Sequence, residues 1–146
     1  MFDNILVVCV GNICRSPTGE YLLKRLLPNK RIASAGIATS KSKLTGHPAD
    51  KVAQQVALAH ELSLEQHSAQ QLTSSMCQEF DLILVMEKGH IDAVCAIAPE
   101  ARGKTMLFSH WLDKVDIPDP YRQSEEAYQH AWNLIEKSAH KWADKL

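Results

Sequence analysis

An unbroken apolar run, Ile5 to Val10, is the sequence feature that most constrains the fold. It has no alternation of polar and apolar residues, which is typical of a strand that a parallel sheet buries on both faces. A short polar loop follows, and then Ser16 and Pro17, which are residue types that favour the first positions of a helix. The chain is therefore predicted to open with a central strand, a tight loop and a helix.

Strands and helices are predicted to alternate along the rest of the chain. Apolar runs predict further strands at residues 31–36, 81–86 and 104–108. Helical spacing predicts a helix from Pro48, one over about 90–98, and a long one from Ser124 to about Asp144. This order predicts one α/β domain over residues 1–146, with a four-stranded, mostly parallel sheet and helices on both faces. Ligands of such sheets bind beyond the carboxyl ends of the strands, so the loop after the first strand is the first place to look for a site.

Composition narrows the range of functions. The chain carries 16 Lys and Arg against 17 Asp and Glu, so it lacks the excess positive charge that general nucleic-acid binding requires. Its longest apolar run is far shorter than the ~20 residues of a membrane span. Asp3 also stands where a signal peptide would carry positive charge. We therefore expect a soluble, cytoplasmic protein that neither coats nucleic acid nor inserts into a membrane.

The four cysteines, at positions 9, 14, 77 and 95, form neither a CxxC pair nor a zinc-ligand pattern. We expect reduced thiols and no bound metal. Cys14 lies five residues from Cys9 in the same loop, so a disulfide between them is a plausible protection of Cys9 against irreversible oxidation. The alternative is that Cys14 only fills space beneath the loop.

The loop between Cys9 and Ser16 combines groups that suit phosphate chemistry. It places a thiol at the end of a buried strand and the Arg15 guanidinium at the start of a helix. A loop this short turns its backbone N–H groups toward one centre, where a tetrahedral dianion finds several donors. The same donors stabilise a thiolate, so Cys9 is a candidate nucleophile, and the planar Arg15 fork can bind two phosphoryl oxygens. In the structural alternative, Cys9 is a small buried hydrophobe and Arg15 a surface charge.

Asp119 is the candidate general acid. It stands between Pro118 and Pro120, which restrict the backbone and can hold the side chain over a cleft. One carboxyl can protonate a leaving phenolate and then activate water for the second step. The alternative is that the Asp-Pro pair only makes a turn. Tyr121 is expected either to form a cleft wall for an aromatic ring or to lie in the core.

The segment CVGNICRSPTGE, residues 9–20, resembles the signature loop of the low-molecular-weight protein tyrosine phosphatases, especially the bacterial ones. The similarity continues through residues 34–36, His67, 81–86 and 116–121, and so covers nearly the whole chain. The resemblance implies a flavodoxin-like, four-stranded parallel sheet and a phosphocysteine intermediate. It implies no metal and no other cofactor.

The resemblance also implies a role for individual residues. Cys9 would be the nucleophile, Arg15 the phosphate ligand and Asp119 the general acid. Ser34 and His67 would support the loop through a hydrogen-bond network with Asn12. The residues expected to bind substrate are Val10, Gly11, Asn12, Ile13, Cys14, Ser16 and Tyr121.

The implied activity is hydrolysis of phosphotyrosine in proteins. Bacterial relatives with this loop often oppose a tyrosine autokinase of capsule or exopolysaccharide export, so such a kinase is the implied partner. The chain departs from the family at His67, which no Arg follows closely, and in the loop 39–44, which lacks an aromatic residue. Arg122 stands where eukaryotic members have a second tyrosine. These departures bear on substrate preference, and Lys41 and Lys43 suit an acidic or multiply phosphorylated tail.

Two other functions are compatible with such a loop. An arsenate reductase of the same fold would need further cysteines placed to relay a disulfide, and Cys77 and Cys95 are 18 positions apart, wider than the close pair of that family. A non-catalytic phosphotyrosine-binding module would use the loop only to bind. Such a module needs neither the thiol of Cys9 nor the carboxyl of Asp119.

Overall fold

A computed structural model describes residues 2–146 and shows a four-stranded, all-parallel sheet in the order β2-β1-β3-β4. The strands are β1 (Asn4–Cys9), β2 (Arg31–Gly36), β3 (Leu82–Val85) and β4 (Thr105–Leu107). The helices are α1 (Arg15–Leu26), α2 (Lys51–Ala59), α3 (Ser74–Glu79), α4 (Lys88–Ile97) and α5 (Glu125–Lys145), with a 3-10 helix over Pro99–Lys104. The predicted α/β class and four-stranded parallel sheet are confirmed.

β1 lies inside the sheet, as its apolar run predicts. Ile5, Leu6, Val7 and Val8 are completely buried. Because side chains alternate along a strand, Ile5 and Val7 pack in the core with α1, α2 and α5, while Leu6 and Val8 pack with α3 and α4. The two hydrophobic clusters hold the sheet from both faces.

The long last helix is anchored to the sheet by its C-terminal half. Trp142 is 3% exposed, as the helical spacing predicts, and its indole N–H donates to the carbonyl oxygen of Phe108 at 2.8 Å. This hydrogen bond satisfies the one polar atom of a large buried ring. Among residues 2–146, every helix is too short or too polar to cross a membrane.

Several element boundaries differ from the sequence prediction. A helix is predicted from Pro48, but α2 begins at Lys51, because the Asp50 side chain accepts the backbone N–H groups of Val52 and Ala53. Ser16 is predicted to cap α1, but α1 begins at Arg15 and the Ser16 hydroxyl bonds elsewhere. α4 likewise begins earlier than expected. α3 and the 3-10 helix are not predicted, since six residues are too few for a helical repeat to stand out.

The end of β2 fits closely against the loop that follows β1. The backbone N–H groups of Ile37 and Ala38 donate to the carbonyl oxygens of Cys9 and Val10, each at 2.9 Å. A Cβ on Gly36 would overlap Thr39 Oγ1 and lie 2.6 Å from the Val10 carbonyl oxygen. Gly36 is therefore required by the close approach of two backbones.

The variant Gly36→Ala is expected to unfold with a free energy lower by about 1–3 kcal/mol, because the added methyl group has no space. Urea titration followed by circular dichroism measures this loss. The matched control is Gly89→Ala in α4, where a Cβ meets nothing within 4 Å and alanine favours the helix. Equal stability of the two variants would contradict the proposed close approach.

Candidate active site

The loop between β1 and α1 surrounds the sulfur of Cys9. Cys9 is the last residue of β1 and is 3% exposed. Its Sγ lies 2.9 Å from Ser16 Oγ and accepts the backbone N–H of Asn12 at 3.3 Å. When the sulfur is ionised, both groups donate to it and stabilise its negative charge. The predicted nucleophile thus lies where a strand end, a loop amide and the first turn of a helix meet.

Asn12 fixes the shape of this loop. Its φ is 62°, in the left-handed region that asparagine adopts more readily than most residues. The buried Nδ2 donates to Ser16 Oγ at 2.7 Å and to Ser34 Oγ at 2.9 Å, and Oδ1 accepts the backbone N–H of Gln70. The side chain therefore joins the loop to β2 and to the segment around residue 70. The supporting roles of Asn12 and Ser34 stay predictions, and these contacts give them a geometric basis.

A second layer of buried polar groups lies behind Asn12. His67 Nε2 donates to the Asn12 carbonyl oxygen at 2.6 Å, and Ser34 Oγ donates to Glu20 Oε1 at 2.5 Å. Burial lowers the pKa of His67, while the Asn12 hydrogen bond and the Glu20 charge act in the opposite direction. Glu20 also pairs with Lys24 at 2.6 Å. Sequence reasoning assigned Glu20 no role in this network, because its partner Ser34 lies 14 positions away in the chain.

Arg15 is held from behind by two acceptors. Its side chain is 2% exposed, and Nη1 donates to Glu87 Oε2 at 2.5 Å and to the Ile117 carbonyl oxygen at 2.8 Å. Nη2 lies 3.8 Å from Asp119 Oδ2, on the side of the cleft. The hydrogen bonds of Nη1 thus fix the guanidinium plane, while Nη2 faces the part of the cleft where an anion would bind. Sequence reasoning missed Glu87, which directly follows the run 81–86 at the carboxyl end of β3.

Asp119 lies across the cleft from the loop. Its side chain is 48% exposed, and Oδ1 accepts the backbone N–H of Tyr121 at 3.1 Å. The other carboxyl oxygen is the one near Arg15. This arrangement leaves the carboxyl in contact with solvent and turned toward the anion site, as a group that transfers protons requires.

The cleft itself has a volume of about 300 Å³. Cys9 and Arg15 lie at its base, and Leu44 and Tyr121 form walls that can flank a flat ring. Its lining residues are Cys9, Val10, Gly11, Ile13, Cys14, Arg15, Ser42, Leu44, Asp119, Tyr121 and Arg122. Of the predicted substrate-binding residues, Asn12 and Ser16 are absent from this lining. Their buried side chains lie beneath the loop and shape it.

Cys14 differs from Cys9 in its surroundings. It is 5% exposed, and burial raises the pKa of its thiol, with the charge of Asp50 acting in the same direction. A raised pKa disfavours the thiolate form, so Cys14 is a weaker candidate for the catalytic nucleophile. Both cysteines are free in this structure.

A thiol, an anion-binding loop and a carboxyl at the carboxyl edge of a parallel sheet define a site of the cysteine-dependent phosphatase class. Comparison with known proteins identifies the family. Residues 4–146 match the family described as "Low molecular weight phosphotyrosine protein phosphatase". The chain belongs to this family, whose members are hydrolases.

Individual relatives cover the whole chain. The sequence is 56% identical over 146 residues to the low molecular weight protein-tyrosine-phosphatase Wzb of Salmonella typhimurium, spanning 100% of this chain and 95% of that protein. The solved structure "Vibrio vulnificus Wzb in complex with benzylphosphonate" superposes with a TM-score of 0.98 at 62% identity and 100% coverage of both chains. The YwlE arginine phosphatase of Geobacillus stearothermophilus has a TM-score of 0.86 at 31% identity, covering 97% of this chain and 90% of its own.

Replacing Glu87 by Gln is expected to lower kcat/KM for an aryl phosphate by about tenfold, because Arg15 loses the charge that orients it. Steady-state kinetics together with inhibition by inorganic phosphate measure the effect, and phosphate binding should weaken in parallel. Glu79→Gln is the matched control, since among residues 2–146 Glu79 forms its ion pair with the exposed side chain of Arg31 alone. Equal kinetics for the two variants would show that Glu87 does not orient Arg15.

Proposed function

We propose that this protein hydrolyses phosphotyrosine in proteins through a cysteinyl-phosphate intermediate, with Cys9, Arg15 and Asp119 as the catalytic residues. The observation that carries the proposal is the position of the Cys9 sulfur, which two hydrogen bonds support at the base of a cleft that also holds the Arg15 guanidinium. A thiol that hydrogen bonds support beside a fixed cation is the arrangement that phosphoryl transfer to sulfur requires.

In the first step the Cys9 thiolate attacks phosphorus while the bond from phosphorus to the phenolic oxygen breaks. Asp119 gives its proton to that oxygen, so tyrosine leaves as a neutral phenol. The Arg15 fork and the loop amides bind the equatorial oxygens and stabilise the charge of the transition state. The products of this step are free tyrosine side chain and phosphocysteine.

In the second step Asp119, now a carboxylate, takes a proton from water as that water attacks the phosphocysteine. The bond between sulfur and phosphorus breaks, inorganic phosphate leaves, and Cys9 returns as a thiolate that Ser16 Oγ and the Asn12 amide stabilise. The carboxyl ends the cycle protonated and ready for the next substrate. One residue therefore serves both steps because it lies beside the same anion site.

The walls of the cleft support an aromatic substrate. Leu44 and Tyr121 face the space above Cys9, and an apolar slot of this kind suits the ring of phosphotyrosine better than the short stem of phosphoserine. The name of the Salmonella relative, a protein-tyrosine-phosphatase, supports the same substrate class.

We further propose that the natural substrate is a tyrosine autokinase of capsule or exopolysaccharide export, and that the enzyme acts in the cytoplasm. Support comes from the family resemblance and from 56% identity to a bacterial Wzb over the whole chain. The arsenate reductase alternative gains no support, because Cys77 is fully buried in the cluster on the other face of the sheet from Cys9.

The decisive experiment compares wild type, Cys9→Ser and Asp119→Ala on two aryl phosphates, one with a good leaving group and one with a poor leaving group. Cys9→Ser should show no turnover and no phosphoenzyme in rapid-quench trapping. Asp119→Ala should lose about 100-fold to 1,000-fold on the poor leaving group and clearly less on the good one.

Equal losses of Asp119→Ala on both substrates would refute its role as the acid. Phosphotyrosine and phosphoarginine peptides of one sequence, offered side by side, test the substrate class. Preferential turnover of phosphoarginine, or turnover of arsenate alone with a thiol donor, would overturn the proposed function.

Substitution of Cys14 tests whether oxidation of Cys9 in the same site is reversible. We propose that peroxide converts the Cys9 thiolate to a sulfenic acid, and that the Cys14 thiol then displaces water from it to form a disulfide. A dithiol reduces that bond and restores activity. Wild type should therefore recover more activity with dithiol than Cys14→Ala does, whereas Cys95→Ala should recover like wild type. Equal recovery of all three proteins would exclude the disulfide.

A further inference from the structure

Arg122 is a cation at the entrance of the catalytic cleft, and the proposed mechanism gives it no role. It is exposed, and it lines the same cleft as Cys9 and Arg15. Within residues 2–146, no carboxylate lies at ion-pairing distance from its guanidinium. The charge is therefore free to bind an anion from outside the chain.

The backbone holds Arg122 in a fixed relation to the general acid. Its φ is 61°, in the left-handed region, which costs about 1 kcal/mol or more for a residue with a Cβ. The turn is closed on both sides by hydrogen bonds, from Gln123 N–H to the Pro120 carbonyl oxygen at 2.8 Å and from Tyr121 N–H to Asp119 Oδ1 at 3.1 Å. Arg122 thus occupies a position that glycine would fill with less strain.

The guanidinium is also ordered by an aromatic neighbour. Its central carbon lies 5.1 Å from the centroid of the Tyr121 ring, within cation–π range. Tyr121 is itself a wall of the cleft. The Arg122 guanidinium therefore lies beside the cleft entrance, where the ring of a substrate would enter, and it packs on Tyr121 instead of extending into solvent.

Two exposed lysines flank another residue of the cleft lining. Ser42 lines the cleft, and its neighbours Lys41 and Lys43 are exposed and make no ion pair within the described part of the chain. The net charge of the whole chain is −1, so composition alone does not explain why one residue of the cleft lining is an arginine and two lysines flank another. The phosphate of a bound phosphotyrosine is already held at the base by Arg15 and the loop amides, so Arg122 has no part in neutralising it.

From these observations we propose that Arg122 forms an anion-binding subsite at the cleft entrance, which recognises an acidic or phosphorylated side chain next to the phosphotyrosine in the substrate. The planar fork of arginine can bind a carboxylate or a phosphate through two hydrogen bonds. Lys41 and Lys43, which flank the lining residue Ser42, add positive potential near the cleft. The subsite deepens the proposed function and rests on it, because it assigns a substrate class to the same cleft.

The test uses three phosphotyrosine peptides of one sequence, in which the residues on either side of the phosphotyrosine are Gln, Glu or phosphoserine. The measured quantity is the ratio of kcat/KM for each anionic peptide to kcat/KM for the neutral one, so a general effect of a substitution cancels. Wild type should prefer the anionic peptides by about fivefold or more, and about 1 M salt should remove the preference. The Glu and phosphoserine peptides separate the two sources of negative charge.

Arg122→Gln should reduce the ratio to nearly one, Arg122→Lys should keep part of it, and Arg122→Glu should bring it below one. The matched control is Lys137→Gln, which removes the same charge from an exposed position on α5 and should keep the wild-type ratio. A wild-type ratio of one, an unchanged ratio in Arg122→Gln, or an equal loss in Lys137→Gln would each overturn the subsite.

A binding measurement separates the subsite from the proposed activity. In the Cys9→Ser background, fluorescence anisotropy gives the dissociation constants of the same three peptides with and without Arg122→Gln. Turnover by wild type with no preference among the peptides refutes the subsite and leaves the phosphatase activity intact. Absence of turnover together with a preference in binding refutes the phosphatase activity and leaves the subsite.

Discussion

The candidate site depends on two hydrogen-bonding groups beside the Cys9 sulfur, which are the Ser16 hydroxyl and the Asn12 backbone amide. The Asn12 side chain donates to Ser16 Oγ and so holds that hydroxyl beside the sulfur. Asn12 in turn is held by Ser34 and by the backbone of residue 70. Because these groups are buried and already oriented, little reorganisation is needed when charge develops on the sulfur. Side-chain hydrogen bonds, and not the backbone alone, therefore fix the shape of the loop.

The other proposed catalytic groups are connected to this loop through Arg15. Its Nη1 donates to Glu87, which follows β3, and to the Ile117 carbonyl oxygen in the segment between β4 and α5, so one side chain joins three segments of the chain. The Asp119 carboxyl lies two residues beyond Ile117. In the proposed mechanism Arg15 is therefore both the anion ligand and the buried connection between the segments that carry Cys9 and Asp119. Burial of this guanidinium is offset by the carboxylate of Glu87 and the Ile117 carbonyl oxygen, which both accept from Nη1.

Much of this arrangement could be predicted from the sequence. The run Ile5–Val10 has no polar alternation, and that pattern alone places β1 inside a parallel sheet and the next loop at its carboxyl edge. The identities of Cys9, Arg15 and Asp119 came from chemistry and from the family resemblance. Glu20 and Glu87 could not be assigned, because their roles depend on partners 14 and 72 positions away. The start of α2 was misplaced because Pro48 and Asp50 both favour a helix start, and only the side-chain hydrogen bonds of Asp50 decide between them.

The base and the entrance of the cleft are built from different parts of the fold, and this difference affects which residues can change between related enzymes. The base consists of strand ends and a hydrogen-bonded loop, where a single methyl group on Gly36 would disturb two backbones at once. The entrance consists of exposed side chains on two turns, around Ser42 and around Arg122, that contribute little to the core. Natural selection can therefore exchange residues at the rim and redirect the enzyme to new targets, while the reaction it performs on them is inherited unchanged.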